Sequence, residues 1–262
     1  MTSDSHPRLR SGAAPGGAPG VRAVAAALRG LSPHAFFLER EVAGLAEIVR
    51  PGDVCLDIGA EYGLYTLALA GLAGPGGRVW AVEPLPGPAR FLRSAARTLG
   101  ARNVRVLRRA VGAEEGAGTL SLPMRRGLPV HGRAFLTTGA HGRGPNAEFG
   151  AERTVETRVS TLDTLVGESG ERRVDFVKAD VEGAELAVLD GAAATLRRHR
   201  PALLLEIEDR HLAKYGARAD DLVERLAQLG YSMRARVAGA WRSADRVREG
   251  HRNYLFTAVR RD

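Results

Sequence analysis

Residues 55–70 read CLDIGAEYGLYTLALA. The apolar run that ends at Asp57-Ile58-Gly59 has the make-up of a buried strand, and the stretch that follows Gly63 reads as a helix. A strand that turns through glycines into a helix aims free backbone N–H groups, and the positive end of that helix, at one point. Such a point favours an anionic group, and glycine lets a ligand approach the main chain with no Cβ in the way. A dinucleotide turn reads G-x-G-x-x-G. Here the pattern is D-x-G-x-x-x-G, from Asp57 through Gly59 to Gly63, with Ala60 and Glu61 between the glycines. Asp57 and Glu61 would repel a pyrophosphate. They suit a ligand that carries a positive group beside its carboxylate, which describes the amino acid end and sulfonium of S-adenosylmethionine.

Outward from this turn, strand and helix alternate. RVWAVEP is a strand, PGPARFLRSAARTLG a helix and NVRVLRRAV a strand, giving βαβαβ and a parallel sheet covered on both faces. The second strand ends at Glu83, where an acid accepts hydrogen bonds from both ribose hydroxyls of a nucleoside. The rhythm then changes. GTLSLPM and RTVETRVS read as short strands, separated by a Gly- and Arg-rich loop over about 124–153 with no clear period. This loop reads as a substrate lid that sets selectivity, and it carries His131 and His141. Ser160 and Thr161 are caps for the helix LDTLV, with Asp163 returning the contact. VDFVKAD is a strand, GAELAVLDGAAATLRRH a helix, PALLLEIE a strand and ADDLVERLAQLG a helix, and YSMRARV and NYLFTAV close the sheet. Residues 1–20 read as a disordered Gly, Ala and Pro tail, 21–50 as a helical cap and 51–262 as the main domain.

The formal charge is +8, and Lys178 and Lys214 are the only lysines. The arginines read as scattered and without interleaved aromatics, so the charge is taken as a codon bias and no nucleic-acid partner is expected. Cys55, the single cysteine, lies in an apolar strand, which excludes an internal disulfide and predicts a core residue. Without a signal-like N-terminus or a membrane-length apolar run, the expectation is a cytoplasmic protein with no membrane partner. Homo-oligomer formation through the lid and the helical cap is an expectation with no motif behind it. Trp80 reads as core, and Trp241 as a residue free to stack on a ligand.

The segments LDIGAEYGLYTLALA, VEP, STLDTL, DFVKADVEGAELAVLDGA and PALLLEIE, in that order over roughly residues 50–208, resemble the FkbM family of S-adenosylmethionine-dependent methyltransferases. VKADVEGAE is the most specific of them. The resemblance implies a Rossmann-like class I methyltransferase fold, with a seven-stranded, mostly parallel sheet whose last strand is antiparallel and helices on both faces. It also implies O-methylation of a hydroxyl on a natural product or sugar. It places Asp57, Gly59, Ala60, Glu61 and Gly63 around the amino acid end of the cofactor, Glu83 on the ribose, and Ala110 and Val111 near the adenine. Asp180 and Glu182 fall after the fourth strand, facing the methyl group, with Lys178 on the same side of that strand as Asp180. Asp180 is the first choice for the base or orienting acid and Glu182 the second. For Glu182 and Glu185 the competing role is to cap the following helix.

Macrocin-type sugar O-methyltransferases, another branch of this fold, hold a divalent ion with an acid after strand four and an acidic pair after strand five. The corresponding acids here are Asp180, Glu208 and Asp209, with Glu206 beside them, a set suited to Mg²⁺ that the FkbM resemblance does not require. His211, just beyond this cluster, is a further candidate base, as are His131 and His141. Three competing readings follow: an RNA methyltransferase, a catalytically silent cofactor-binding protein and a dehydrogenase. The RNA reading lacks an aromatic-proline turn where the chain has ADVEGAE, and the dehydrogenase reading lacks G-x-G-x-x-G.

Overall fold

The computed structural model describes residues 19–33, 39–248 and 250–258. The expected N-terminal tail lies outside the described residues except for Pro19 and Gly20, which open helix α1 (Pro19–Leu31). Residues 34–38 of the expected cap also lie outside them. After α2 (Glu41–Gly44) the chain enters β1 (Val54–Ile58), whose five side chains are all buried. Burial on both faces explains why this strand is apolar throughout and does not alternate.

From β1 the chain runs through α3 (Leu64–Ala73), β2 (Arg78–Val82), α4 (Pro86–Thr98), β3 (Val104–Leu107) and β4 (Ala110–Val111). An excursion follows through β5 (Gly116–Arg125), β6 (Leu128–Pro129), β7 (Phe135–Leu136) and β8 (Ala151–Ser160). The main alternation resumes with α5 (Leu162–Ser169), β9 (Phe176–Ala179), α6 (Glu185–Asp190), α7 (Ala193–His199) and β10 (Ala202–Glu206). The chain closes with α8 (Asp209–Leu212), α9 (Ala219–Gln228), β11 (Tyr231–Val237), β12 (Ala240–Ser243) and β13 (Asn253–Ala258).

The main sheet has the spatial order β12-β11-β13-β10-β9-β1-β2-β3. From β10 to β3 all neighbours are parallel, and β13 runs antiparallel to both β10 and β11. This is the expected class I methyltransferase arrangement. The hairpin strand β12, too short to stand out in the sequence, adds an eighth strand at the edge. One apolar cluster packs β1, β9, β10 and β13 against α5, α6, α7 and α9, and the other packs the opposite face against α1 and α3. α1 crosses α3 closely at Gly71, where a Cβ would lie 2.3 Å from that of Ala25.

Register is what builds the site. Ile58 pairs with Val82 of β2 and with Ala179 of β9, and Ala179 pairs with Leu205 of β10. The residues that follow these four are Gly59, Glu83, Asp180 and Glu206. All four therefore leave the sheet at one level, at its carboxyl edge, where open α/β sheets bind ligands.

Three expectations change in detail. NVRVLRRAV is two strands, because β4 leaves the main sheet and pairs with β8. The expected helix over 183–199 breaks into α6 and α7 at Gly191, where a Cβ would meet the Gly112 carbonyl at 2.2 Å. Thr161 does cap α5 by accepting from the Thr164 N–H, but Asp163 accepts instead from the N–H groups of Ala194 and Thr195 and so caps α7.

The excursion forms a second, five-stranded sheet built on a long β5-β8 hairpin, with β6 and β7 on the far side of β5. Its apolar face packs Leu120, Leu122, Leu136 and Val159 against Leu85 and Ala110 beside the carboxyl edge of the main sheet. No helix among the described residues is long and apolar enough to cross a membrane.

Candidate active site

Gly59 adopts φ 77°, and a Cβ there would lie 1.8 Å from the carbonyl oxygen of Asp180. Only bare backbone fits between β1 and β9 at this level. Gly63, at φ 91°, starts α3 in the left-handed region, and its missing Cβ leaves room for Leu92 of α4. Between the glycines, Glu61 also has positive φ, and its N–H donates to Glu83 Oε2 at 2.9 Å. Glu83 Oε1 accepts from the Leu85 N–H at 2.7 Å. The carboxylate is thus fixed by two backbone bonds, and each oxygen keeps a lone pair for a further donor such as a ribose hydroxyl. Burial, reinforced by the charges of Glu61 and Asp57, pushes Glu83 up to about 7.

Asp57 and Gly63 do not line the cleft that opens above this turn, and neither does Ala60, which packs against Ala81 and Leu92. Asp57 is buried behind the turn and accepts a hydrogen bond from the Thr66 hydroxyl of α3. Burial raises it to about 6. Its part is to tie the start of α3 to β1.

The cleft holds about 230 Å³ of space accessible to water and opens to solvent at its mouth. Leu85, Ala110, Val111, Leu120 and Leu136 form an apolar wall next to Glu83. His131, Gly132, Arg133 and Ala134 of the excursion close over the opposite side, so this segment covers the site as a lid would. The Tyr62 hydroxyl and His131 Nδ1 lie 3.0 Å apart at the mouth, and burial lowers His131. His141 is not among the cleft residues; its N–H donates to the Lys214 carbonyl. Trp241 packs under Arg236 away from the cleft, and its indole N–H donates to the Gly44 carbonyl.

The floor is acidic. Asp180 is partly open to the cleft, and Lys178, fully buried, places Nζ 3.5 Å from its Oδ2. Burial alone would lower Lys178, but Asp180, Glu39, Glu206 and Asp57 surround it and raise it instead. Burial would likewise raise Asp180; the Lys178 charge and a hydrogen bond with Glu206 hold it below its ordinary range. Glu206, buried beside ionised Asp180, is pushed well up and keeps the proton of the pair.

Glu182 reaches the cleft from a residue at φ 57° and sits 2.6 Å from His211 Nδ1. Arg133 Nη1 lies 3.0 Å from the other ring nitrogen, Nε2. Lys214 Nζ lies 3.2 Å from Nδ1, so a cationic donor faces each nitrogen of the ring. Lys214 is buried behind this pair, with Nζ 3.8 Å from Glu182 Oε2 and over the Phe135 ring, and burial lowers it to about 8.

Several sequence expectations part company here. Asp180, Glu182 and Glu206 bring ligand-type oxygens within 4.8 Å of one another, whereas Asp180, Glu208 and Asp209 do not form a set. Asp209 accepts from the Ala219 N–H and caps α9, and Glu208 pairs with Arg210 at 2.6 Å. Glu185 is buried and accepts from the N–H groups of Val181 and Gly183, which is the capping role; Glu182 turns into the cleft. His211 is buried beside Glu182 and does not line the cleft.

Glu39, Arg133 and Arg252 line the cleft with no motif to announce them. Lys214 did carry a signal. In a chain with two lysines among 38 basic residues, both are buried against this acid cluster.

Residues 57–233 match the model of the methyltransferase FkbM domain family. The chain is 32% identical over 170 residues to the 31-O-demethyl-FK506 methyltransferase FkbM of Streptomyces tacrolimicus, covering 55% of this chain and 60% of that protein. It is 29% identical over 242 residues to the AMB antimetabolite synthetase AmbE of Pseudomonas aeruginosa, covering 81% of this chain and 11% of that protein. The chain thus spans less than two thirds of the length of either curated relative. Among solved structures, the methyltransferase FkbM from Methylobacillus flagellatus is similar with a TM-score of 0.48 at 18% identity, covering 80% of this chain and 48% of that one.

Proposed function

The chain belongs to the FkbM family of S-adenosylmethionine-dependent methyltransferases, and we propose that it methylates a hydroxyl of a small molecule, a natural product or a sugar. The observation that carries this reading is the meeting of Gly59, Glu83 and Asp180 around one cleft, with a fixed diol acceptor on one side and ionised carboxylate on the other. The similarity to a methyltransferase acting on 31-O-demethyl-FK506 supports a hydroxyl acceptor.

The residues present fit the cofactor. Glu83 offers a lone pair on each oxygen to the ribose, and Ala110, Val111 and Leu85 would flank the base, whereas the N–H groups of Gly59, Ala60, Glu61 and Gly63 are taken up within the protein by the Val82 carbonyl, Glu83 and the Ala60 carbonyl. Glu39, Glu61, Glu83, Asp180 and Glu182 make the cleft rich in negative charge, which suits a cationic ligand. S-adenosylmethionine supplies a methyl group on a positively charged sulfur. Asp180 and Glu182 then orient an acceptor hydroxyl by accepting its hydrogen bond. As the new C–O bond forms and the C–S bond breaks, the hydroxyl proton passes to one of these carboxylates, Asp180 first. A low proton affinity suits an acceptor that must stay ionised until the oxygen has become acidic. Lys178 balances the cluster's charge from within the protein.

The test supplies deuterated-methyl S-adenosylmethionine with a panel of hydroxylated macrolides, sugars, amines and RNA oligonucleotides, read by mass spectrometry. Transfer to a hydroxyl, lost in Asp180→Asn while S-adenosylhomocysteine still binds, supports the reading. Transfer only to nitrogen or to RNA overturns it.

A further inference from the structure

The positive charge of this chain is not spread over its surface. Residues 84–113 contain seven arginines and no Asp, Glu or Lys, a local excess nearly equal to the +8 of the whole chain. The expectation of scattered arginines is corrected on this point. Arg109 pairs with Glu168 at 2.6 Å. The other six, Arg90, Arg93, Arg97, Arg102, Arg105 and Arg108, have no carboxylate within 4.0 Å among the described residues. Five of them are exposed and Arg93 is half-buried. Arg173, Arg225 and Arg236 reach carboxylates at 3.0, 2.7 and 2.9 Å while Arg126, Arg197 and Arg198 reach none among the described residues, so what sets residues 84–113 apart is that the segment holds no acid of its own.

The fold gathers these six along one edge. Arg90, Arg93 and Arg97 recur at i, i+3 and i+7 on α4, the spacing of a single helix face about 10 Å long. Arg102, Arg105 and Arg108 lie along and beside β3, the last strand of the main sheet, which pairs with β2 and has no strand on its outer side among the described residues. Between the two rows runs an open groove with Ala96, Val104 and Val106 in its floor and Arg93, Arg97, Arg102 and Arg105 at its rim.

We propose that this groove is a docking face for an acidic protein segment that adds to β3 as a strand. The Val104 N–H of this edge already donates to the Ala101 carbonyl, and an incoming strand pairs with the edge groups beyond it while alternate carboxylates reach the arginines. A second copy of this chain is repelled by its own arginines. A nucleic acid fits less well, because no Phe, Tyr, Trp or His occurs from residue 92 to 130, leaving the groove without platforms for base stacking.

The probe is a fluorescein-labelled peptide of alternating Glu and Val, about 14 residues long, titrated with the full chain at low salt and followed by anisotropy. Arg97→Glu with Arg105→Glu weakens binding at least about tenfold, and Arg97→Ala with Arg105→Ala by a smaller factor. A Lys-Val peptide does not bind. Thermal denaturation of both double variants reports folding separately. The proposal is overturned by equal binding to a folded double variant. It is equally overturned if a Glu-rich peptide interrupted by prolines binds as well as the alternating one, or if a single-stranded oligonucleotide of equal charge binds more tightly.

Discussion

Lys178 Nζ lies 3.5 Å from Asp180 Oδ2 in a pocket where neither the ammonium nor its carbon stem meets solvent. A lone buried ammonium would shed its proton. Here Asp180, Glu39, Glu206 and Asp57 keep it charged, and its charge in turn keeps Asp180 ionised while Glu206 holds a proton. The pair therefore sets the charge state of the cleft floor, linking a core residue of β9 to an acid that faces the cleft.

Replacing Lys178 with Met strands that carboxylate. Breaking a buried pair by removing one partner costs about 3–5 kcal/mol. Chemical denaturation of Lys178→Met should show a loss of this order, largest above the pH at which Asp180 takes up a proton. A variant as stable as wild type would mean that the cluster draws its charge balance from elsewhere.

Glu83 predicts a pH dependence with a definite sign. The unfolded carboxyl releases its proton near 4.5, and the folded one keeps it up to about 7. Between these values the folded state binds more protons, so stability falls as pH rises, by roughly 3 kcal/mol for this group when the fall is complete. Glu185, also raised to about 7 by burial, acts in the same direction. Denaturation midpoints of wild type should decline across this window, and Glu83→Ala should decline less steeply. Equal slopes would contradict the assignment.

His211 places Nδ1 2.6 Å from Glu182 Oε2 and 3.2 Å from Lys214 Nζ, and Arg133 Nη1 lies 3.0 Å from its Nε2. His211→Asn keeps a polar group packed between Glu182 and Lys214, whereas His211→Ala removes it. The alanine variant should lose about tenfold in kcat, near 1.4 kcal/mol, and the asparagine variant less, with S-adenosylhomocysteine affinity unchanged in both. Loss of affinity in step with kcat would assign His211 to overall folding.

Gly59 and Gly74 both have positive φ, at 77° and 64°. A Cβ on Gly59 meets the Asp180 carbonyl, while one on Gly74 meets nothing within 4 Å. Gly74→Ala should cost only the backbone strain of φ 64° and ψ −171°, about 1–3 kcal/mol. Gly59→Ala should cost more and also abolish cofactor binding, because β1 and β9 must part at the cleft floor. Circular dichroism melts with ligand titration separate the two effects.

Much of this was legible in the sequence. β1, β2, β9 and β10 are apolar runs that end at an acid or a glycine, and their ends are the site: Gly59, Glu83, Asp180 and Glu206. The illegible parts depend on contacts far along the chain. Asp57 looks like a ligand residue but reaches Thr66, and Asp163 looks like a local cap but reaches α7, which spacing along one segment does not reveal. The stretch 126–150 has no period because its strands are two residues long and are fixed by pairing to β5. The arginines of 84–113 seemed dispersed because a helix and a strand share them; only the fold lays the two rows side by side.

The most direct test is calorimetric titration of S-adenosylhomocysteine into the intact protein, beside NADH and the Glu83→Ala variant. One-to-one binding of S-adenosylhomocysteine, weakened at least about tenfold in the variant and absent for NADH, is the result predicted for a cleft built around Gly59 and Glu83. No binding to the intact protein, or binding that Glu83→Ala leaves unchanged, would contradict it.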